Sequence, residues 1–278
     1  MIRPVKRGRE LLEEIERTEC PTPTLWWLGQ SGFVTKYRSI IFYIDPYLSE
    51  TGSDRSHVRM TEAPFRGREV THADLILCTH QHSDHLDPGT APQMLEASRR
   101  AKLVIPKGVA EHAHALGIGY DRMTTTDSDL RVEYFKDGIY ARIYAVPSAH
   151  EQLDWTPLGG YPCLGYLVRF GEYTIYHSGD SVPYEGLVDR LRLFNVTVAL
   201  LPINGRDPKR GVAGNFEIAE AAQLAEDIGA RWLVPMHYDM FAFNTADVDR
   251  FIDHMLGFRP LQRFKLFRCG ERWAVPPD

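Results

Sequence analysis

Residues 78–88, CTHQHSDHLDP, are the part of the sequence that most limits what this chain can fold into. Between positions 80 and 87 they contain three histidines and two aspartates. Such groups are costly to bury unless they are paired or bind a metal ion. In an extended segment residues i and i+2 point to the same side, so His80 and His82 can bind one ion. Asp84 and His85 follow a turn at Ser83 and would face a second position. The segment therefore predicts a metal centre.

Four other strand-like segments end at residues of the same chemical type. SIIFYID ends at Asp45 and YTIYHSGD at Asp180, while His150 and His237 follow the apolar runs of IYAVPSAHE and RWLVPMHYD. Sites in layered α/β proteins lie where strands end, so these residues are predicted to converge on one place. The predicted metal ligands are His80, His82, Asp84, His85, His150, Asp180 and His237. A single tetrahedral ion cannot use them all. They suit two divalent ions about 3.5–4 Å apart that share one carboxylate.

The order of strands and helices predicts an α/β fold in which two sheets pack together with helices on the outside. Strand-like runs such as TLWWLG and ADLILCT alternate with amphipathic segments, among them 183–194 and 215–229. RFKLFRC and RWAV are predicted as a closing pair of strands. The polar, irregular stretch 49–71 is predicted to be a functional loop. We expect one domain over 1–278, with an N-terminal helix and extension over 1–23.

Composition excludes several classes of protein. The formal net charge of -5 gives no support for a general nucleic-acid binder. The four cysteines (Cys20, Cys78, Cys163 and Cys269) form no CxxC pair, which is typical of reduced thiols in the cytoplasm. The first twenty residues contain no apolar segment typical of a signal peptide. No window approaches the roughly 20 apolar residues of a membrane span. We therefore expect a cytoplasmic protein without a membrane segment.

The segment His80-Gln81-His82-Ser83-Asp84-His85 resembles the HxHxDH motif of the metallo-β-lactamase superfamily. More narrowly, the chain is similar to the L-ascorbate-6-phosphate lactonase-like branch of that superfamily. This second resemblance rests on WLGQSGF, DPYLS, PSAHE, HSGD, LPINGRD and PMHYDMF. It implies a four-layer αβ/βα sandwich and a metal-dependent hydrolase. It also implies self-association, although no interface can be read from the sequence.

The resemblance also implies how the ligands are divided between two metal ions. His80, His82 and His150 would hold the first ion, Asp84, His85 and His237 would hold the second, and Asp180 would bridge them. Zinc is common in the superfamily, whereas the lactonases are associated with manganese. The ligand atoms are all nitrogen and oxygen, which tolerate either ion, so the choice between zinc and manganese stays open.

Two cations that share one water would make hydroxide available at neutral pH. Asp84 and Asp180 are the predicted catalytic residues, because they would orient that hydroxide and Asp84 would relay a proton. The expected reaction is hydrolysis of an ester or lactone, with a phosphorylated sugar lactone as the leading substrate. Two alternatives stay open. One is a phosphodiesterase that acts on nucleotides or phospholipid head groups, and the other is a metal-binding regulator without turnover.

The predicted partner is an anionic small molecule. The candidate substrate-binding residues are Asn204, Arg206, Asn215 and Tyr238. Arg206 presents a planar fork suited to phosphate or carboxylate, while Asn215 is also a candidate helix N-cap. Lys209 and Arg210 are left open between anion contacts and a solvated turn. Asp45, His177 and Asp239 are predicted to support the ligands through hydrogen bonds.

Overall fold

Two mixed sheets make up the centre of the molecule, which is seen in a computed structural model that describes residues 1–50 and 58–277. The strands of the first sheet are β1 (Thr24–Gly29), β2 (Gly32–Tyr37), β3 (Ile40–Ile44), β4 (Leu75–Leu77), β5 (Lys102–Pro106), β6 (Met123–Thr126) and β13 (Arg272–Ala274). Those of the second are β7 (Arg131–Lys136), β8 (Ile139–Pro147), β9 (Leu164–Phe170), β10 (Tyr173–His177), β11 (Val198–Pro202) and β12 (Trp232–Met236).

Each sheet has a parallel half and an antiparallel half. The first has the order β13-β1-β2-β3-β4-β5-β6, and the second has the order β12-β11-β10-β9-β8-β7. Strands β3 to β6 are parallel, as are β10 to β12, while the remaining pairs are antiparallel. Because β3, β4, β10 and β12 deliver their last residues to one edge, the loops that follow them meet there.

Helices cover the outer face of each sheet. The α-helices are α1 (Gly8–Arg17), α2 (Ala91–Ala97), α3 (Ala110–Ala115), α4 (Leu187–Arg192), α5 (Ile218–Asp227) and α6 (Val248–Phe258). Short 3₁₀ turns occupy Gly67–Glu69, Lys107–Val109, Tyr120–Arg122 and Pro208–Arg210. Within the described residues no helix is both long and apolar enough to cross a bilayer.

Alternation along β1 shows how the layers are held together. Leu25 and Trp27 belong to the core between the sheets, whereas Trp26 and Leu28 pack in the cluster with the apolar faces of α1, α2 and α3. Successive residues of a strand point to opposite faces, so one strand supplies both cores. Helices α4, α5 and α6 pack through residues such as Phe251 against the second sheet. The predicted four-layer sandwich is confirmed.

Three local predictions differ from the structure. RFKLFRC forms no strand and makes only a bridge between Phe264 and Leu233, because the chain then crosses to the first sheet, where the Gly270 amide donates to the Trp27 carbonyl. Strand β6 was not predicted, since its sequence MTTT is polar, as suits the edge of a sheet. The helix expected over 183–194 covers only α4, which begins after Gly186 at a positive φ of 87°. Of the predicted loop 49–71, residues 51–57 lie outside the described residues.

Candidate metal centre

The structure brings all seven predicted ligands to the edge where the strand ends meet. His80, His82, Asp84 and His85 lie in the loop after β4, and His237 directly follows β12. His150 lies three residues beyond β8, and Asp180 three residues beyond β10. The ligand-type atoms fall into groups of three, each within 4.8 Å of one another: His80/His82/His150, His80/His85/Asp180 and Asp84/His85/His237.

The first group is formed by His80, His82 and His150. His82 Nδ1 lies 2.9 Å from His80 Nε2 and 3.2 Å from His150 Nε2. The other ring nitrogen of His150 donates to the Gly214 carbonyl at 3.3 Å, which leaves Nε2 free to face the group. Burial, reinforced by the neighbouring imidazoles, lowers the pKa of His80 well below its usual value. Neutral imidazoles that point at one spot are suited to binding a borderline divalent ion.

The second group is formed by Asp84, His85 and His237, and Asp180 lies between the two groups. Asp84 Oδ2 is 3.8 Å from His85 Nε2 and 3.9 Å from His237 Nε2. Asp180 Oδ1 lies 3.3 Å from His85 Nε2, while its Oδ2 lies 3.3 Å from His237 Nε2 and 3.8 Å from His150 Nε2. One carboxylate therefore faces both groups, which is the arrangement of a bridging ligand.

Two buried atoms test whether these residues fit a metal. Among the described residues, His85 Nε2 and Asp180 Oδ1 have no hydrogen-bond partner. A buried polar atom without a partner needs an explanation, and here the two atoms face each other inside a set of nitrogen and oxygen donors. Burial opposes a charge on His85 most strongly, yet Asp180, Asp45 and Asp84 together raise its pKa well above the usual value. These three carboxylates thus favour a positive charge at this position, and a bound divalent cation would supply it.

Asp45 holds His85 in the orientation that a ligand needs. Its carboxylate is fully buried and accepts hydrogen bonds from the Thr79 amide at 2.8 Å, the Thr79 hydroxyl at 2.7 Å and His85 Nδ1 at 2.7 Å. When His85 is neutral, as a metal ligand must be, this contact keeps its proton on Nδ1 and turns the lone pair of Nε2 towards the site. The predicted supporting position of Asp45 therefore coincides with a direct contact to a candidate ligand.

Gln30 is a site residue for which the sequence analysis assigned no role. It lies in the turn between β1 and β2, and its Nε2 donates to Asp84 Oδ2 at 2.9 Å and lies 3.1 Å from His237 Nε2. The backbone carbonyl of Gln30 also accepts a hydrogen bond from the His237 backbone amide at 3.2 Å. Its φ is 52°, and Asp45 (45°) and His237 (69°) are likewise non-glycine residues at positive φ. Strained backbone of this kind collects at functional sites, but it cannot be read from sequence.

His177 and Asp239 support the candidate ligands less directly than Asp45 does. His177 is fully buried; its Nε2 donates to the Ser31 carbonyl at 2.8 Å, and its Nδ1 accepts the Gly179 amide at 3.1 Å. It thereby fixes the turn that carries Asp180. Asp239 acts through its backbone, since its amide donates to the Thr245 hydroxyl at 2.9 Å. Its side chain faces a different depression, away from the ligands.

Asn204 and Asn215 belong to a buried polar network behind the site. Asn215 Nδ2 donates to Asn204 Oδ1 at 3.1 Å, and Asn204 Nδ2 donates to Asn244 Oδ1 at 2.8 Å. Arg210 Nη1 donates to the Asn204 carbonyl at 2.5 Å and lies 3.3 Å from Asn244 Oδ1. Asn215 is not a helix cap, because α5 begins at Ile218 with Glu217 as its N-cap. Of this network, only Asn244 reaches the cleft above the ligands.

Arg206 and Tyr238, which were predicted to contact substrate, point elsewhere. Arg206 Nη2 pairs with Glu220 Oε1 at 2.5 Å, so the guanidinium anchors its loop to α5. The Tyr238 hydroxyl donates to the Phe267 carbonyl at 2.7 Å, and its ring packs against Trp27 at a centroid distance of 4.4 Å. Residue type and position along the chain do not decide the direction of a side chain.

A cleft of about 340 Å³ opens above the ligands. His82, Asp84, His150, Asp180 and His237 form what we call the floor of this cleft. The opposite side, which we call the wall, includes Val212, Ala213, Phe241, Phe243 and Asn244. The site thus places a group of convergent ligands beneath a space of the size that holds a small molecule.

Comparison with known proteins agrees with this geometry. Residues 41–238 match the family model described as a β-lactamase superfamily domain. A UPF0173 metal-dependent hydrolase of Thermococcus kodakarensis is 31% identical over 81% of this chain and 88% of its own length. Another from Hyperthermus butylicus is 28% identical over 88% of this chain and 96% of its own.

Solved structures share the fold at lower identity. Igni18, a metallo hydrolase from Ignicoccus hospitalis, has a TM-score of 0.68 and 22% identity over 91% of this chain and 97% of its own. An isothiocyanate hydrolase from Delia radicum gut bacteria has a TM-score of 0.71 and 18% identity over 90% of this chain and 98% of its own. At such identities the likeness shows the fold alone.

Proposed function

This chain belongs to the metallo-β-lactamase superfamily and is a metal-dependent hydrolase; we propose that it uses two divalent ions to hydrolyse a carboxylic ester or lactone. The single observation that carries the proposal is the position of Asp180, whose two oxygens face two separate groups of convergent ligands. His80, His82 and His150 would hold one ion, while Asp84, His85 and His237 would hold the other.

When bound, such ions lower the pKa of water and polarise a carbonyl oxygen. The protein's own groups do the rest. Gln30 fixes Asp84 through the hydrogen bond to Oδ2, so that the carboxylate is positioned to accept a proton from the attacking water. Asp45 fixes the tautomer of His85, and Gly214 fixes that of His150. The donor atoms suit either zinc or manganese.

The site gives less support to a phosphorylated sugar lactone, the substrate favoured by the sequence, than to esters and lactones in general, because a phosphate group needs a cationic partner. Arg206 is paired with Glu220, and Arg210 is bonded to the Asn204 carbonyl, so neither presents a free guanidinium to the cleft. A phosphodiester substrate meets the same objection. We also propose a cytoplasmic location, because all four cysteines are free thiols.

Metal analysis of protein purified without added metal, combined with activity assays, tests the proposal. We expect about two equivalents of metal per chain and turnover of p-nitrophenyl hexanoate or a simple lactone. His82→Ala should lose metal at the first position and nearly all activity. His112→Ala, which alters an exposed histidine of α3, is the matched control and should behave as the parent protein.

Three outcomes contradict the proposal. Turnover of bis(p-nitrophenyl) phosphate alone would show a phosphodiesterase. Full metal occupancy without hydrolysis of esters, lactones or phosphodiesters would favour a metal-binding regulator without turnover. Full activity of His82→Ala would show that the site lies elsewhere.

A further inference from the structure

The residues that line the wall of the cleft favour one class of substrate. We infer that the cleft accepts an uncharged ester or lactone whose acyl part is apolar, and that it discriminates against an acyl part with an anionic end. This inference rests on the proposed function, since it names the substrate class of the same site. Three features carry it: the residues of the wall, the positions of the nearby cations, and the orientation of Asn244.

The wall is mostly hydrocarbon. Val212, Ala213, Phe241 and Phe243 line it, and the Phe241 and Phe243 rings lie 5.9 Å apart. Behind them the Tyr47 ring lies 5.7 Å from that of Phe241. An alkyl or aryl group placed here would exchange water for apolar surface, which favours binding.

No lysine or arginine is among the described residues that line the cleft. Three arginines of the described residues are engaged elsewhere: Arg206 with Glu220, Arg210 with the Asn204 carbonyl, and Arg59 with the Tyr47 and Ser49 carbonyls. An anionic group held against the wall would lose its water without gaining a charged partner from the described lining residues, which is costly.

Asn244 supplies a polar contact of the kind that a neutral substrate needs. Its Oδ1 accepts hydrogen bonds from Asn204 Nδ2 at 2.8 Å and Arg210 Nη1 at 3.3 Å. With the oxygen engaged by two donors, the amide nitrogen is the group left to face the cleft. An N–H donor of this kind suits a neutral carbonyl or ring oxygen. The buried network thus presents one uncharged donor beside an apolar surface.

A pair of esters of similar length separates charge from shape. We expect p-nitrophenyl hexanoate to have a kcat/KM at least about tenfold above that of the mono-p-nitrophenyl ester of adipic acid. Val212→Arg should reverse the preference by giving the anionic end a partner. Leu261→Arg adds the same charge at a residue that is 95% exposed and should leave the preference unchanged. Phe243→Ala should lower kcat/KM for p-nitrophenyl hexanoate by about tenfold. The same substitution should lower kcat/KM for p-nitrophenyl acetate much less, because the acetyl group is short.

Binding of the matching amides to the metal-loaded protein tests the same inference without turnover. Hexanamide should bind more tightly than the monoamide of adipic acid in calorimetry. Equal or tighter binding of the anionic amide, or an equal or higher kcat/KM for the anionic ester, would overturn the inference while leaving the hydrolase intact. If neither ester is hydrolysed although metal is bound, the proposed function fails, and the amide pair still decides the inference.

Discussion

The floor of the cleft is built from side chains at the ends of strands, whereas its wall comes from two loops, 211–213 and 241–244. The predicted ligands at and behind the floor are held by hydrogen bonds such as those from Gln30 to Asp84 and from His85 to Asp45. The wall loops lie between a strand and the helix that follows it, α5 in one case and α6 in the other. A substitution behind the floor should therefore change metal binding and rate, while one in the wall should change which substrate is used.

The largest effect that separates the two regions is expected at Asp45. In Asp45→Asn, the one remaining oxygen would accept the Thr79 amide, and the new NH₂ group would face His85 Nδ1. His85 would then carry its proton on Nε2, where the lone pair is needed. We expect metal affinity at the second position and kcat to fall about 10- to 100-fold, with an unchanged preference between neutral and anionic esters.

Metal titration followed by calorimetry, together with kcat for both esters, checks this prediction. Asp239→Asn is the matched control, because Asp239 also has a positive φ but its carboxylate faces away from the ligands. If Asp45→Asn altered ester preference rather than metal binding, the division between floor and wall would be wrong.

The same division explains what the sequence could predict. The floor could be anticipated because its five residues belong to the seven predicted metal ligands, which are ionisable and lie just after strand-like runs; the structure brings all seven together. The wall could not, since Val212, Phe241 and Phe243 are residues that any core or loop contains. Arg206 and Tyr238 were predicted to bind substrate, but an ion pair with Glu220 and a hydrogen bond to the Phe267 carbonyl decide the directions of their side chains.

A similar contrast holds for the fold. The layers follow from alternation within strands such as β1, which is a local property. The path of the last residues does not follow from a local pattern, because segment 263–269 has strand-like composition and yet crosses between the sheets. Which sheet a segment joins depends on distant backbone partners, and one sequence does not display these. The roles of Gln30 and Asn244 were missed for the same reason.

Gln30→Ala should have an intermediate effect. It removes the donor to Asp84 Oδ2 and frees the carboxylate from its position beside His237. We expect kcat to fall about tenfold and the second metal to dissociate faster in the presence of a chelator. Gln223→Ala, on the exposed side of α5, is the control. Unchanged metal release and kcat would show that Gln30 does not position Asp84.

The smallest effect on catalysis is expected at Tyr238, although it adjoins His237. Its hydroxyl donates to the Phe267 carbonyl at 2.7 Å and accepts the Phe267 amide at 3.1 Å. Tyr238→Phe leaves both backbone groups unpaired in the core, so the free energy of unfolding should fall by about 1–3 kcal/mol. Metal content and ester preference should not change. Urea unfolding measures the loss, and Tyr120→Phe, at a tyrosine that is 51% exposed, is the control and should change stability by less than about 0.5 kcal/mol. A changed preference between the two esters would instead place Tyr238 in the wall, and would show that the wall extends to the residue beside the floor ligand His237.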